Sequence, residues 1–338
     1  MFLHPLPVPP GARGGLKDDL DPAAAVYRSF TFAGYRSRHD LSTAGRPPPF
    51  LLGGPGVSAL LSAVFLGVVE GLTEFLPISS TGHLIVAERL IGYRDAGETF
   101  TIVIQLGAIL AVVWFYLREL LDKVSMLFRG SPRARRFWLN LVIASLPAAL
   151  VGLLFEKAIK AALFSPTTVA LSLIAGGVIL WVVETRRARQ APSPAAVDPQ
   201  VTPEPDLYGV TPRQALTIGL AQAVAVIPGV SRSGASIVGG LLSGLDRVTA
   251  TAFSFFLGIP VLGAAGLYSL YKARHTLGQI EGGAPALLVG TAVSFVTALL
   301  AVSWLLRYVS RHDFRGFAVY RVVFGAVILA LVAAGALR

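Results

Sequence analysis

The 338-residue sequence contains no cysteine, and only 14% of its residues are charged. Without cysteine the chain has no disulfides, no thiolate metal centre and no cysteine nucleophile. Soluble globular proteins carry about 25% charged residues. The low charge, together with 54% hydrophobic residues, therefore excludes an ordinary soluble domain. Apolar windows of roughly 20 residues recur instead, and each is long enough to cross a bilayer as a helix.

The basic residues are unevenly placed along the chain. A net charge of +10 would suit a nucleic-acid partner, but most lysines and arginines lie in short loops beside apolar segments, which is typical of cytoplasmic loops. We therefore expect the protein to associate with a membrane and not with nucleic acid. Loops 118–137, 186–213 and 307–316 hold thirteen Lys or Arg residues, against five in the segments expected on the opposite side. This bias places these loops in the cytoplasm and both chain termini outside. The basic residues within 1–56 favour the opposite orientation, with the N-terminus in the cytoplasm.

Two polar breaks interrupt the apolar pattern. The longer apolar segments run over 57–77, 99–117, 138–156, 167–184, 213–230, 249–271, 285–306 and 317–337. Two shorter ones, 83–92 and 235–245, follow the breaks LPISSTG and IPGVSRSG. Broken backbone at membrane depth is tolerated only where it lines a polar cavity or is buried in protein. Each break with its flanking segments therefore predicts a re-entrant helical hairpin.

The two halves of the chain match at a fixed offset of 152 residues. The matched pairs are Gly67 and Gly219, Glu70 and Gln222, Ser79 and Ser231, Gly82 and Gly234, and Gly92 and Gly244. Such matches indicate an internal repeat. Each repeat then holds one re-entrant hairpin plus three transmembrane helices, and because three is odd the second repeat enters the membrane from the opposite face. The expected fold class is an all-α polytopic membrane protein with inverted-topology repeats.

Composition divides the rest of the chain. Residues 1–56 have Pro-rich ends and mixed charge, which predicts a disordered N-terminal extension or a translation start assigned too far upstream. Residues 57–189 are expected to form the first membrane repeat and 212–338 the second. Residues 190–211 form a linker, because the five prolines of 190–206 prevent a helix.

The first break carries carboxylates, hydroxyls and an imidazole. Glu70 and Glu74 are four residues apart and share a helix face, a pattern that suits a divalent cation held by oxygen ligands or a proton transfer. Beyond Pro77, Ser80 and His83 lie close enough for the imidazole to act as base to a serine nucleophile. One carboxyl could also be kept protonated for helix packing, and one hydroxyl could simply cap a helix.

The second break resembles an anion cradle. Its glycines permit a tight backbone, its serines offer donors, and backbone N–H groups at a helix start favour an anion. Arg232 adds a guanidinium that matches phosphate in a bidentate manner, although an arginine in such a segment can also snorkel. Together the two breaks predict phosphoryl transfer on a phosphate-bearing lipid. The alternative is a secondary transporter or flippase for an anionic lipid, since inverted repeats with broken helices also build transporters.

The stretches GVVEGLTEFLPISSTGHL and IPGVSRSGASIVGGLLSGLDRVTATAFSFFLGIP closely resemble the bacterial undecaprenyl-diphosphate phosphatase family, also called the bacitracin-resistance family. FTIVIQLGAILAVVWFY at 100–116 is similar to the next helix of that family, and the resemblance covers about 57–337. It implies inverted repeats with two re-entrant hairpins in a multi-pass protein of the bacterial plasma (inner) membrane. It also implies hydrolysis of undecaprenyl diphosphate, an isoprenoid diphosphate lipid, and a homodimer.

The resemblance also implies roles for single residues. It implies that Glu70 and Glu74 are essential and bind a divalent metal, Mg²⁺ or Ca²⁺. By the same resemblance Ser80 is the nucleophile, His83 the base or acid, and Arg232 the diphosphate binder. Direct attack by water, with Ser80 only positioning it, stays open. The expected substrate-binding residues are Ser79, Thr81, Gly229, Ser231, Ser233, Gly234, Ser236 and Gln105.

Ser236 departs from the family pattern, and Arg321 has no assigned role. Family members often have Thr where this chain has Ser236, a difference that keeps the hydroxyl. Arg321 in the last apolar segment could approach the substrate or snorkel to the interface, and the pattern favours neither.

Overall fold

The structure is a computed structural model that describes residues 55–93, 99–163, 165–190, 204–274 and 280–337. Within these ranges the chain is helical and contains no strand, which confirms the expected all-α class. The helices are α1 (Pro55–Thr73), α2 (Ser80–Ile91), α3 (Thr99–Phe115), α4 (Leu117–Phe128), α5 (Pro132–Leu163), α6 (Pro166–Gln190), α7 (Pro212–Ala223), α8 (Arg232–Leu242), α9 (Arg247–Ala273), α10 (Gly283–Val309) and α11 (Arg315–Ala333).

Several of these helices fit a multi-pass membrane protein. In the described ranges four are long and apolar enough to cross a bilayer, namely α5, α6, α10 and α11. Helices α3 and α4 make a fifth span if they are counted as one helix broken by a 70° bend. Helices α1 and α9 have shorter apolar stretches, Ala59–Thr73 and Arg247–Gly263. The sequence predicted six full crossings, and the sixth, 249–271, lies on α9.

The second long segment before a break ends earlier than its apolar composition predicts. Helix α7 starts at a capping box, in which the Thr211 side chain accepts from the Gln214 backbone N–H and the Gln214 side chain accepts in return. It stops at Ala223, and only a single 3₁₀ turn, Val224–Val226, follows. Ile227 is extended, with ψ of 124°, because a residue before proline, here Pro228, is pushed out of the helical region.

Part of the expected linker is folded. Residues 191–203 lie outside the described ranges, as do residues 1–54 of the expected extension. Leu207 and Val210 are buried at 2% and 0% exposure. The buried Asn140 side chain donates to the Val210 carbonyl over 2.7 Å. The end of the linker is therefore anchored on α5.

The helix before each break packs on a helix of the other half of the chain. Helix α1 packs against α10, and α7 packs against α5. The contacts are close at the matched glycines. A Cβ on Gly67 would lie 2.6 Å from the Gly290 carbonyl oxygen, and one on Gly219 would lie 2.6 Å from the Ala144 carbonyl oxygen. Backbone cannot yield as a flexible side chain does, so both positions require glycine.

We expect Gly67→Ala and Gly219→Ala each to lower the thermal unfolding midpoint of the purified protein in detergent, because overpacking typically costs about 1–3 kcal/mol. Gly263→Ala is the matched control, since the nearest atom to its Cβ would be Ile109 Cγ2 at 3.9 Å. Equal midpoints for all three variants would contradict the close packing of α1 on α10 and α7 on α5.

Candidate active site

The two breaks share one unusual backbone conformation. Ser79 and Ser231, matched in the sequence repeat, are the only residues other than glycine with positive φ in the described chain, at 69° and 72°. Each immediately precedes a helix, α2 or α8. Such a conformation costs a non-glycine residue about 1–3 kcal/mol and persists only where the surroundings fix it. Strain stored twice at matched positions is typical of a functional site.

Side chains join the two breaks directly. The Ser233 hydroxyl donates to the Leu76 carbonyl over 2.9 Å, and Nη2 of Arg232 donates to Oε1 of Glu74 over 3.3 Å. Both members of the Arg232–Glu74 ion pair are buried. The first and second breaks therefore meet inside the protein, as the sequence predicts.

Glu74 also binds the candidate nucleophile. Ser80 Oγ donates to Oε2 of Glu74 over 2.6 Å, while Oε1 of the same carboxylate accepts from Arg232. One carboxylate therefore orients the serine hydroxyl and holds the guanidinium that would face a phosphate. Arg232 keeps a further donor for a ligand, because its Nε is buried and makes no hydrogen bond within the described chain.

Glu70 is the carboxylate that the protein leaves unsatisfied. The residue is 1% exposed, and neither carboxylate oxygen has a hydrogen-bond partner among the described residues. A bare buried carboxylate is costly, so the group is either protonated or paired with a cation.

A divalent metal fits these donors. Mg²⁺ and Ca²⁺ prefer oxygen ligands, and Mg²⁺ is often held by one or two carboxylates, with waters and substrate phosphates as its other ligands. No group of three or more His, Cys, Asp or Glu side chains that could hold a metal is present in the described ranges. Glu70, with Glu74 one helical turn further on, therefore suits a metal whose remaining ligands come from water and substrate.

Arg321 occupies the centre between the breaks. This side chain is 1% exposed, and within the described ranges its hydrogen bonds go to backbone carbonyls. The partners are Pro77 at 3.0 Å, Val230 at 2.8 Å, Gly229 at 3.3 Å, Leu173 at 3.3 Å and Ser172 at 3.4 Å. The sequence left Arg321 between contact with substrate and snorkelling, and the structure shows instead an internal anchor.

His83 has other partners than the sequence predicted. Its Nδ1 lies 2.7 Å from the Ser79 carbonyl oxygen, and its Nε2 lies 2.7 Å from the Tyr320 hydroxyl oxygen. The expected Ser80–His83 pair is not formed. Because α2 starts at Ser80, the ring of His83 bonds back to the preceding turn, and its outer nitrogen reaches α11.

Three further expected substrate-binding residues, Gly229, Gly234 and Ser236, lie in different surroundings. Gly229 has φ of 88°, and a Cβ there would lie 2.4 Å from the Val169 carbonyl oxygen. Gly234 lies beside Arg321, and its N–H donates to Ser231 Oγ over 3.1 Å. Ser236 is turned to α9, because its hydroxyl lies 2.6 Å from Ser254 Oγ and donates to the Arg232 carbonyl.

Two further expected substrate-binding residues lie close to the breaks in the chain or within the fold. Thr81 is half-buried in the first turn of α2. Gln105 is buried on α3. Neither position contradicts the expectation that these side chains bind substrate.

Arg321→Lys should lower both the thermal midpoint and the folded yield. Lysine has three donors on a flexible stem in place of five in a planar fork. Several carbonyls at the breaks would then lose their partner, at about 1–3 kcal/mol for each unsatisfied group. The matched control is Arg307→Lys on the exposed end of α10, where the arginine donates to the Ser303 carbonyl of its own helix. A thermal midpoint for Arg321→Lys equal to that of the control would show that the breaks hold without this anchor.

The fold and the site define a polytopic helical membrane protein that unites Ser, Glu and Arg side chains of two polar breaks in one buried cluster. The family model described as "Bacitracin resistance protein BacA" matches residues 63–327. The chain belongs to this family. "Undecaprenyl-diphosphatase" of Albidiferax ferrireducens is 50% identical over 279 residues, which cover 82% of this chain and 96% of that protein.

Two further relatives are similar over a comparable share of the chain. "Undecaprenyl-diphosphatase 2" of Rhodospirillum rubrum is 53% identical over 278 residues, covering 80% of this chain and 94% of the relative. "Undecaprenyl-diphosphatase 1" of Paraburkholderia xenovorans is 51% identical over 277 residues, covering 82% and 96%. The similarity therefore extends over nearly the whole of each relative.

Proposed function

We infer that this chain hydrolyses undecaprenyl diphosphate to undecaprenyl phosphate and inorganic phosphate. This activity recycles the lipid carrier of peptidoglycan synthesis and confers bacitracin resistance. The relatives named above carry this activity in their names. The observation in the structure that carries the inference is Glu74, whose carboxylate contacts Ser80 of the first break and Arg232 of the second.

The first chemical step starts from the Ser80–Glu74 hydrogen bond. The Ser80 proton passes to Glu74 as Oγ attacks the terminal phosphorus, and the bond from that phosphorus to the bridging oxygen breaks. Undecaprenyl phosphate leaves with the bridging oxygen. Arg232 donates to the diphosphate from Nε, and its charge stabilises the transferring phosphoryl group.

The second step frees the serine. Water attacks the phosphorus of the phosphoserine, the bond from phosphorus to Oγ breaks, and Oγ regains its proton from Glu74. The proton of the attacking water goes to His83, the remaining base of the first break. In the alternative that the sequence left open, water attacks the substrate directly and Ser80 only positions it.

Mg²⁺ or Ca²⁺ is the metal that we propose at Glu70 and Glu74. When bound, such a cation neutralises charge on the diphosphate oxygens. The unsatisfied carboxylate of Glu70 supports this assignment, since it offers two free oxygen ligands at a depth where an unpaired charge is costly.

The membrane arrangement that we propose is the inverted repeat with two re-entrant hairpins. Three matches at the 152-residue offset support it: the strained serines at 79 and 231, the positive-φ glycines Gly92 and Gly244, and the glycines Gly67 and Gly219. We further propose that the protein lies in the bacterial plasma (inner) membrane. The homodimer implied by the family resemblance stays a prediction.

Phosphate release from undecaprenyl diphosphate by the detergent-purified protein tests the function. We expect turnover by the wild type, a loss of about 1,000-fold or more in Glu74→Gln and Ser80→Ala, and a loss of about 100- to 1,000-fold in Arg232→Ala. Glu281→Gln, Ser145→Ala and Arg307→Ala are the matched controls. Glu281 is exposed, and Ser145 donates to the Leu141 carbonyl of its own helix, α5.

The outcomes separate the hypotheses. A folded wild type that releases no phosphate in the presence of metal would exclude the phosphatase and favour the transporter, which lipid-flipping assays in vesicles would then test. Turnover that survives Ser80→Ala would keep the phosphatase but assign the attack to water.

Chelation should abolish phosphate release, and added Mg²⁺ or Ca²⁺ should restore it. Glu70→Gln should weaken metal binding at least about tenfold, because one charged ligand is lost. Mn²⁺ binding measured by electron paramagnetic resonance gives a readout that does not depend on turnover. Equal Mn²⁺ affinity in the wild type and Glu70→Gln would remove this carboxylate from the metal site.

A further inference from the structure

His83 lies in a stack of three aromatic rings. Its ring is 4.2 Å from that of Phe324, centroid to centroid, with 15° between the planes. The Tyr320 ring is 5.6 Å from that of His83 with only 4° between the planes. Tyr320 and Phe324 are one helical turn apart on α11, so they share a face of that helix. The imidazole is therefore held flat against α11.

The hydrogen bonds of His83 fix the position of its proton. A carbonyl oxygen accepts and never donates, so the contact with Ser79 requires the proton on Nδ1. In the neutral ring Nε2 then carries a lone pair, and the Tyr320 hydroxyl must donate to it. The Nδ1–H tautomer of His83 follows from these two contacts of 2.7 Å each.

Tyr320 stands between this basic nitrogen and the surroundings. The residue is 43% exposed, whereas its chain neighbour Arg321 is 1% exposed, because adjacent helical residues point about 100° apart. Helix α11 thus sends one side chain into the anchor of the breaks and leaves the other partly exposed. The Tyr320 hydroxyl, which is the hydrogen-bond partner of Nε2, is therefore the group through which a proton can reach that nitrogen.

We propose that Tyr320 is a proton-relay residue, whose hydroxyl holds the Nε2 lone pair of His83 in place and passes a proton to it. This inference rests on the proposed function. In the second chemical step the Tyr320 O–H bond breaks as its proton moves to Nε2, and the same oxygen takes a proton from the attacking water. The phenol ends as it began, and the imidazole carries one more proton until it is lost to solvent.

Tyr320→Phe removes the hydroxyl and keeps the ring stack. We expect kcat to fall about tenfold, within the range of general acid–base effects, with KM changed less than twofold and an unaltered thermal midpoint. Tyr308→Phe is the matched control, since Tyr308 also stacks on a histidine, His312, with centroids 4.7 Å apart. A kcat for Tyr320→Phe equal to that of the control would overturn the proposal while leaving the phosphatase intact.

A double-mutant cycle separates action through His83 from a general structural effect. If Tyr320 acts through His83, Tyr320→Phe has no further effect on kcat in the His83→Gln background, because coupled residues are non-additive. An additional tenfold loss in the double variant would assign Tyr320 a role independent of His83 and overturn the proposal.

The ¹⁵N resonances of His83, assigned by comparison with His83→Gln, give a readout without turnover. We expect the Nδ1–H tautomer in the wild type and a hydrogen-bonded Nε2. Tyr320→Phe should move the Nε2 resonance to the position of a free ring nitrogen. A wild type with the proton on Nε2 would overturn the assignment. If the wild type released no phosphate, the proposed function would fail and this spectrum would still test the contact.

Discussion

The hydrogen bonds of Arg321 to backbone carbonyls are the interaction on which the rest of the site depends. Each polar break interrupts helical hydrogen bonding in a setting where water is scarce, and freed carbonyls must then be satisfied within the protein. One guanidinium reaches Pro77 in the first break and Gly229 and Val230 in the second. A charged donor bonded to several carbonyls fixes both backbones at once. The strained serines 79 and 231 flank these carbonyls and are held by the same contacts.

The charges of the site are divided by task. Arg321 is bonded to backbone, whereas Arg232 is bonded to Glu74 and retains a free Nε. Glu74 is occupied by Arg232 and Ser80, whereas Glu70 retains both oxygens. Each sign of charge therefore has one member whose hydrogen bonds are mostly taken up by protein groups and one that keeps a free polar atom for a ligand. Such a set suits a substrate that brings negative oxygens together with a cation.

The residues close to one another in sequence were predictable, and the contacts between distant segments were not. The spacing of Glu70 and Glu74, the proline-containing breaks and Arg232 identified the two sides of the site. The offset of 152 residues pointed to Ser79 and Ser231 before their shared backbone was known. The helical class follows from composition alone, because apolar windows of this length leave few other folds.

The partners of His83 and the anchoring role of Arg321 had no local signal. Tyr320 is 237 residues from His83, and Arg321 is 244 residues from Pro77. No periodicity connects positions so far apart, and a tyrosine in an apolar helix is ordinary. The sequence paired His83 with Ser80 because they share a helical turn, whereas the bond to the Ser79 carbonyl turns the ring away. Helix α4, which follows α3 after a 70° bend, was likewise missed, because the basic residues of 118–137 indicate a loop.

Helix α11 follows both breaks in the chain, yet it supplies Arg321 to their centre and Tyr320 to their edge. During synthesis the two breaks are therefore made before the side chain that satisfies their carbonyls. The candidate catalytic residues of both breaks are present at that stage, but their backbones are not yet fixed. Assembly of the site is thus tied to insertion of α11, so a nascent chain still lacking this helix has the reactive groups without the geometry to use them.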